Sequence, residues 1–208
     1  MTESTTSILE QCYDLLAKTK SNVVWEILRQ TEKFYEWNHY PSGDVFDKET
    51  HSQYYYHAHA WEDGSRWDEH GHFHLFVRKE GIPDAYQPKL LLPMQEGVKT
   101  DDLCHLCAIS MDKFGKPLAL FTTNRWVTGE TWYPAAAVIE LLPLFSITHA
   151  WPSWPTNIWI TQMLRTYQNE ISQLLWERDR VIDDWQQQNP TTNVFEDRKL
   201  EITSYLSL

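Results

Sequence analysis

Two segments decide the fold of this chain: QYYYHAH, which is Gln53–His59, and HGHFHLFV, which is His70–Val77. Aromatic and β-branched side chains are frequent in both, and such residues favour strands. Between them, Asp63–Ser65 has the composition of a turn. The pattern therefore predicts two neighbouring strands of an antiparallel hairpin.

Further segments extend this hairpin into a sheet. Apolar and β-branched residues predict a second strand pair at Cys104–Met111 and Leu118–Thr123, joined by a turn around Gly115. A weak alternation of apolar residues over Leu200–Leu206 predicts an additional edge strand. The expected sheet therefore has at least four strands.

Helical periodicity precedes the sheet segments. Apolar residues recur at helical spacing over Ser7–Ala17 and again over Val23–Phe34, which predicts two amphipathic N-terminal helices. Tyr40–Asp44 then brings Pro, Ser, Gly and Asp together. This composition is typical of a turn, and we interpret the segment as the end of the helical region.

Helical periodicity returns in the last third of the chain. It predicts a short helix over Ala135–Leu142 and a long helix from Asn157 to about Gln187, packed across one face of the sheet. Trp151–Thr156 contains two prolines, so we interpret it as non-helical. The sequence thus predicts one α+β domain over residues 1–208, with a central antiparallel sheet, two N-terminal helices and a long C-terminal helix.

Composition limits the expected partners and compartment. The 208 residues carry a formal net charge of −11, which repels phosphate backbones, so no nucleic-acid partner is expected. The N-terminus lacks the features of a secretory signal, no apolar run has membrane-spanning length, and the three cysteines do not form a disulfide framework. We therefore expect a cytoplasmic protein with a small-molecule substrate or ligand and no membrane partner, while its oligomeric state stays open.

Histidines are concentrated on the two central strands. Because side chains alternate along a strand, His57 and His59 share one face of the first strand, and His70, His72 and His74 share one face of the second. Imidazoles that meet across paired strands can converge on one ion. We therefore predict a divalent metal site with His57, His59, His72 and His74 as ligands.

Neighbouring residues are candidates for supporting roles at this site. Glu62 and Glu69 flank the histidines and can supply a carboxylate, and His70 or Glu69 is expected to orient the ligands or transfer protons. Strict alternation places Glu69 on the face opposite His70, so its participation requires a strand end or a bulge. Iron, zinc and copper all suit such ligands, and spacing does not choose among them.

Two other motifs have weaker functional interpretations. Arg125, in a polar segment after the Leu118–Thr123 strand, is a candidate anchor for an acidic substrate, or else it pairs with Glu130 in an ordinary turn. Cys104 and Cys107 form a C-x-x-C motif, but residues three apart on a regular strand face opposite sides, so we interpret them as buried thiols. The isolated His51, His105 and His149 are interpreted as structural.

Four strings in the chain resemble a known family: YYYHAHA from Tyr54, EHGHFHLFVR from Glu69, FTTNRWVTGETW from Phe121 and HAWPSW from His149. The family is an uncharacterised bacterial one, known as a domain of unknown function. The likeness runs from about Tyr40 to the long helix. It implies membership of that family and brings no activity.

Two classes of function remain open. The first is a metal-dependent enzyme that acts on a small acidic or aromatic substrate. It would be either an oxidoreductase similar to non-haem iron oxygenases or a hydrolase. The second is a non-catalytic ligand-binding or interaction protein, including haem binding, in which the histidines form a structural network or a pH-sensitive patch. Motifs for serine hydrolases and nucleotide cofactors are absent from the sequence.

Overall fold

A computed structural model describes residues 7–59, 68–87 and 102–208. Within these ranges the chain forms an antiparallel sheet whose strands lie side by side in chain order. The strands are β1 Tyr40–Phe46, β2 Ser52–His57, β3 Gly71–Arg78, β4 Leu103–Met111, β5 Pro117–Thr123 and β6 Ile202–Ser207. The predicted α+β class with a central antiparallel sheet is confirmed.

In the described part of the chain, two α-helices precede β1, and four lie between β5 and β6. They are α1 Ile8–Ala17, α2 Val23–Leu28, α3 Arg125–Thr128, α4 Ala135–Leu141, α5 Trp154–Thr166 and α6 Gln168–Gln188. Ser7 caps α1 in a reciprocal arrangement with Glu10, and the side chain of Asn22 caps α2. Among the described helices, none has the length and apolarity needed to cross a bilayer.

The structure corrects four boundaries. Helix α2 ends at Leu28 and does not continue to Phe34. Tyr40–Asp44 is not a turn but the start of β1, an edge strand, where Pro41 removes no needed ladder hydrogen bond. Helix α5 begins at Trp154 because Pro155 occupies its first turn, which tolerates proline. The predicted long helix is divided at Tyr167, whose φ of −104° and ψ of 22° depart from helical values.

One face of the sheet, which we call the helix face, packs against α1, α2, α4, α5 and α6. Tyr54, Phe73, Leu75 and Ile109 belong to this face, and all four are fully buried in one apolar cluster with residues of those helices. Helix α6 crosses β5 and β6, in agreement with the predicted packing of the C-terminal helix on the sheet. Burial of this face supplies the main hydrophobic contribution to stability.

The opposite face, which we call the histidine face, carries the alternate residues of the same strands. His57 lies opposite His72, and Tyr55 lies opposite His74. A bulge in β4 pairs Cys107 with Leu75 but His105 with Phe76, so that Leu106 is the extra residue. The bulge brings His105 onto the histidine face, whereas Cys104 and Cys107 both join the apolar cluster on the helix face.

Candidate metal centre

Three histidines form the centre of the histidine face. The Nε2 atoms of His57 and His72 are 2.6 Å apart across the β2–β3 pair. His59 follows β2 and completes a group in which one nitrogen from each ring lies within 4.8 Å of the others. His57 and His72 are buried, and His59 is partly exposed. The group therefore reaches from the buried part of the sheet to the partly exposed segment just after β2.

Ring spacing in this group is close to that of a tetrahedral metal site. The ring centroids are 4.5 Å apart for His57 and His72, 5.5 Å for His57 and His59, and 5.3 Å for His59 and His72. Metal–nitrogen bonds of about 2.0–2.1 Å in tetrahedral geometry place ring centroids about 5 Å apart and ligand nitrogens about 3.3 Å apart. An ion therefore requires the two Nε2 atoms of His57 and His72 to separate by only about 0.7 Å.

Glu69 fixes the orientation of His72. One Glu69 oxygen lies 2.5 Å from His72 Nδ1, and the other accepts a hydrogen bond of 2.6 Å from the Ser110 hydroxyl. Because an ionised carboxylate only accepts, the proton of neutral His72 lies on Nδ1 and its Nε2 lone pair faces His57. A carboxylate holding the far nitrogen of an imidazole is the usual support of a metal-binding histidine.

Glu69 and His70 lie on the faces of the sheet opposite to those predicted for them. His70 does not share a face with His72, because its Nδ1 lies 2.6 Å from the hydroxyl of Tyr56, on the helix side of the sheet. Alternation fails because β3 begins only at Gly71. A Cβ at Gly71 would lie 2.5 Å from the His57 carbonyl oxygen and 2.6 Å from the Tyr56 hydroxyl, so glycine alone fits there.

Burial keeps the His57 imidazole neutral. It lowers the pKa of His57 to about 2, and the neighbouring His72, His59 and His39 act in the same direction. Neutral imidazole is the form that binds metal. His57 is therefore in a binding-competent protonation state at neutral pH.

His74 lies beside the three-histidine group. Its ring centroid is 5.1 Å from that of His57 and 4.9 Å from that of His72, and its Nδ1 lies 3.0 Å from Nε2 of His105. Burial holds the pKa of His74 well below its usual value. Within the described part of the chain, His74 Nε2 is buried and has no hydrogen-bond partner. The structure thus places His74 next to the group, and gives His105, interpreted from sequence as structural, a role in orienting it.

The segment before β1 covers the outer side of the group, which the sequence did not reveal. Trp37 stacks on His59 with ring centroids 4.3 Å apart, and His39 stacks on Tyr55 at 3.6 Å. His39 Nδ1 lies 3.1 Å from Asp44. An open cleft of about 850 Å³ adjoins His39 and is also lined by Glu32, Lys33, Tyr35, Asn38 and Tyr40. These contacts depend on tertiary packing, so strand periodicity carries no signal for them.

Comparison with known proteins identifies the family. A family model for a domain of unknown function, DUF6969, matches residues 3–208. The chain belongs to the DUF6969 family. The resemblance inferred from the four strings is thereby confirmed, and the match begins well before Tyr40. No curated protein matches the chain, and no solved structure does.

Arg125 of this DUF6969 protein pairs with a carboxylate other than the one that the sequence suggested. It is buried at the start of α3, and its guanidinium forms an ion pair with Glu196. Glu130, the alternative partner, accepts a hydrogen bond of 2.6 Å from the backbone N–H of His105. Burial raises the pKa of Glu130 to about 7 despite the nearby charge of Arg178. We therefore leave Arg125 out of the proposed site.

The sequence also singled out Cys104, Cys107 and Glu62. Cys104 and Cys107 are free, fully buried thiols, and burial raises the pKa of Cys107 to about 12 and that of Cys104 well above its usual value. Such thiols are poor nucleophiles and poor metal ligands. Glu62 lies outside the described residues.

Proposed function

We propose that this DUF6969 protein is a metal-dependent enzyme whose centre is a divalent cation held by His57, His59 and His72. Three imidazole nitrogens suit zinc, iron or copper and disfavour magnesium and calcium, which prefer oxygen ligands. Three protein ligands also leave a coordination position open for substrate or water, as in catalytic rather than structural sites.

The observation that carries this proposal is the chain of contacts from Ser110 through Glu69 and His72 to His57. Each member except the final Nε2 pair has a conventional donor and acceptor. At that pair, two imidazole nitrogens approach to 2.6 Å in a buried environment. A cation between them would use the lone pair that Glu69 holds in place on His72.

Each group has a defined part in the proposed chemistry. A bound cation would act as a Lewis acid and lower the pKa of a bound water. His57, His59 and His72 would hold it, and Glu69 would keep the His72 ring aligned and offset part of the added positive charge. His74 lies beside this centre, within about 5 Å of the His57 and His72 rings. Burial of His57, His72 and His74 keeps bulk water from their side of the site, which strengthens the electrostatic interactions there.

A metal-free network is the second candidate, because the 2.6 Å separation of His57 and His72 Nε2 is also a hydrogen-bond distance. In that case His57 Nε2–H donates to His72, and the protein binds a ligand or partner without catalysis. The two candidates differ in whether purified protein carries metal.

Metal analysis of protein purified without a polyhistidine tag tests the proposal. We expect about one ion per chain in the wild type and loss of metal in His57→Ala and His72→Ala. His70→Gln is the matched control, because His70 belongs to the same EHGHFH string but contacts Tyr56 on the other side of the sheet. It should retain full metal content. Circular dichroism establishes that each variant is folded. Substoichiometric metal in every folded protein, before and after incubation with zinc, iron(II) or copper salts, would exclude the enzyme proposal and favour the network.

A further inference from the structure

An exposed aromatic segment lies beside the cleft on the outer side of the three-histidine group. Phe34 is 40% exposed, Tyr35 is 55% exposed and Trp37 is 67% exposed, although each carries a large ring. Tyr35 and His39 both line the cleft of about 850 Å³. Neighbouring exposed apolar rings at a concave surface are typical of a ligand-binding site.

Hydrogen bonds hold this segment in one conformation. The hydroxyl of Tyr40 accepts from the backbone N–H of Tyr35 at 2.6 Å and donates to the Tyr35 carbonyl oxygen at 3.2 Å. The backbone N–H of Trp37 donates to the carbonyl oxygen of Ala58 at 2.9 Å. Trp37 has a φ of 69°, a left-handed conformation that a bulky residue rarely adopts. A strained conformation that several contacts maintain is frequent where a binding surface is formed before its ligand arrives.

A second carboxylate–histidine pair forms part of the cleft wall. Gln53, which is 3% exposed, donates from Nε2 to one oxygen of Asp44 at 2.7 Å. The other Asp44 oxygen lies 3.1 Å from His39 Nδ1. The register of β1 is irregular around Asp44, whose φ is 59°, and such irregularities re-aim side chains. A buried amide therefore orients the carboxylate, and the carboxylate orients the imidazole.

His39 consequently presents a hydrogen-bond acceptor to the cleft. Because an ionised Asp44 carboxylate only accepts, the proton of the neutral His39 ring lies on Nδ1, and Nε2 carries a lone pair. Stacking on Tyr55, with ring centroids 3.6 Å apart and an interplanar angle of 8°, fixes the ring plane. The His39 side chain remains 43% exposed, so a ligand in the cleft can reach Nε2.

Charge in the cleft favours a neutral ligand. Among the described lining residues, the carboxylates of Glu32 and Asp44 outnumber the ammonium of Lys33, and the whole chain carries a formal net charge of −11. This field repels an anion. An aromatic ligand with hydroxyl groups suits the site, because its ring can stack on Tyr35 while a hydroxyl donates to His39.

We infer that the cleft binds a hydroxylated aromatic compound, whose ring stacks on Tyr35 and whose hydroxyl donates a hydrogen bond to His39 Nε2. Binding in the cleft does not require a metal ion. The role of such a compound as substrate rests on the proposed function, since the His39 ring centroid lies 5.8 Å from that of His57. The inference selects the aromatic one of the two substrate classes expected from the sequence. The acidic class depended on Arg125, whose guanidinium pairs with Glu196.

A pair of matched probes tests this inference on the metal-free full chain, under nitrogen at pH 8, where an ordinary imidazole is neutral. Catechol and its dimethyl ether share the aromatic ring, but only catechol has hydroxyl donors. Binding is followed by NMR titration, and the backbone amides of residues 35–39 should shift. We expect catechol to bind about three- to tenfold more tightly than its dimethyl ether.

Substitutions separate the hydroxyl contact from the ring contact. His39→Phe keeps a ring for the stack on Tyr55 but removes the acceptor, so the preference for catechol should shrink toward unity. Tyr35→Ala removes the stacking ring, so both probes should bind about three- to tenfold more weakly while the preference persists. Trp176→Ala, at a similarly exposed ring on α6, is the matched control and should bind both probes as the wild type does. Circular dichroism establishes that each variant is folded.

Three results would overturn the cleft site. They are equal binding of the two probes by the wild type, a catechol preference that persists in His39→Phe, and tighter binding of methyl glucoside or benzoate than of catechol. Methyl glucoside would indicate a carbohydrate site, and benzoate would indicate an anion site.

Zinc loading separates the cleft site from the metal centre. Catechol should bind at least about tenfold more tightly to zinc-loaded than to metal-free wild type, and this gain should be absent in His57→Ala. A wild type that loads zinc without this gain would exclude such compounds as substrates of the centre. Failure to load zinc would contradict the metal centre and with it the substrate role, whereas the cleft site would stand on the metal-free titrations.

Discussion

Strands β2 and β3 present two faces of opposite character from alternating residues of the same short sequences. On the helix face, the hydroxyls of Tyr54 and Tyr56 have partners in Asn157 and His70, and Phe73 packs against Trp159. The histidine face instead holds close-packed imidazoles. Buried polar atoms without a described partner occur on both sides, at Trp159 Nε1 as well as at His74 Nε2, so the faces differ in composition: one buries apolar side chains, whereas the other gathers imidazoles that could hold an ion.

The largest expected effect comes from equal truncations on the two faces. Phe73 and Phe76 are both buried on β3, but Phe73 belongs to the main apolar cluster and Phe76 to a small one with Tyr55 and Leu103. Phe73→Ala should lower the free energy of unfolding by about 3–5 kcal/mol in urea titrations. Phe76→Ala should cost at least about 1 kcal/mol less, since fewer apolar neighbours lose contact. Equal losses of unfolding free energy in the two variants would contradict the proposal that the helix face contributes more to stability than the histidine face.

Acid should destabilise the two sides of the protein in different pH windows. Burial, helped by the charge of Arg178, lowers the pKa of His105 on the histidine face to about 3. Because the unfolded chain protonates near pH 6.5, this contribution to stability is complete above that pH and is lost below it by about 1.4 kcal/mol per pH unit. Denaturation of metal-free protein between pH 7 and 5 should show the summed effect of the buried His57, His74 and His105, partly offset by Glu130, whose raised pKa acts in the opposite sense. His105→Gln should reduce this slope by about 1.4 kcal/mol per pH unit.

Asp47 provides the contrasting window. Burial opposes its ionisation, but hydrogen bonds from Thr148, Glu49 and Thr50 outweigh it and lower the pKa of Asp47 from 3.8 to about 2. Its contribution of about 2 kcal/mol is therefore present above pH 4 and lost between pH 4 and 2. Asp47→Asn should remove this step, whereas Asp84→Asn, at a fully exposed side chain, should not. If Asp47→Asn also abolished the loss of stability between pH 7 and 5, the assignment of His105 and Asp47 to separate pH ranges would be wrong.

Removing the support of His72 should weaken metal binding without removing a ligand. Glu69→Gln keeps the size of the side chain but loses the negative charge that faces His72 Nδ1. We expect metal affinity, measured by competition with a chelator, to fall by about 10- to 100-fold. Glu130→Gln changes another buried carboxylate, which contacts the His105 backbone rather than the three-histidine group, and should leave the affinity unchanged. Equal affinities in wild type and Glu69→Gln would show that Glu69 does not support a metal ligand.

Strand periodicity was sufficient to predict the pairing of the two central strands and the shared face of His57 and His72. It failed where the ladder is irregular. The close approach of Gly71 to β2 moves His70 to the helix side and Glu69 to the histidine side, and the bulge at Leu106 turns His105 inward. Such irregularities depend on contacts between strands, which a two-residue period does not encode.

Other parts of the site depend on residues far apart in the chain. His39 and Trp37 precede β1 and reach the group only through stacking on Tyr55 and His59. The ion pair of Arg125 with Glu196 joins residues 71 positions apart, so its partner was not apparent from the local polar segment. The local sequence pattern therefore predicted the histidines at the centre of this face. The residues that cover its outer side, His39 and Trp37, could be identified only from the tertiary structure.

The smallest expected effect is on the rate of metal release, and it comes from Trp37 on the outer side of the group. Trp37 is 67% exposed, yet its indole is nearly parallel to the ring of His59, at an interplanar angle of 10°. Trp37→Ala should remove a stacking contact of about 0.5–1.5 kcal/mol and make release of metal to a chelator roughly two- to tenfold faster. Trp176→Ala, at another exposed tryptophan, on α6, should not alter the rate. Because Trp37 contacts the outermost proposed ligand, an unchanged rate in Trp37→Ala would mean that His59 does not limit release, and the metal would then depend on the buried His57 and His72 alone.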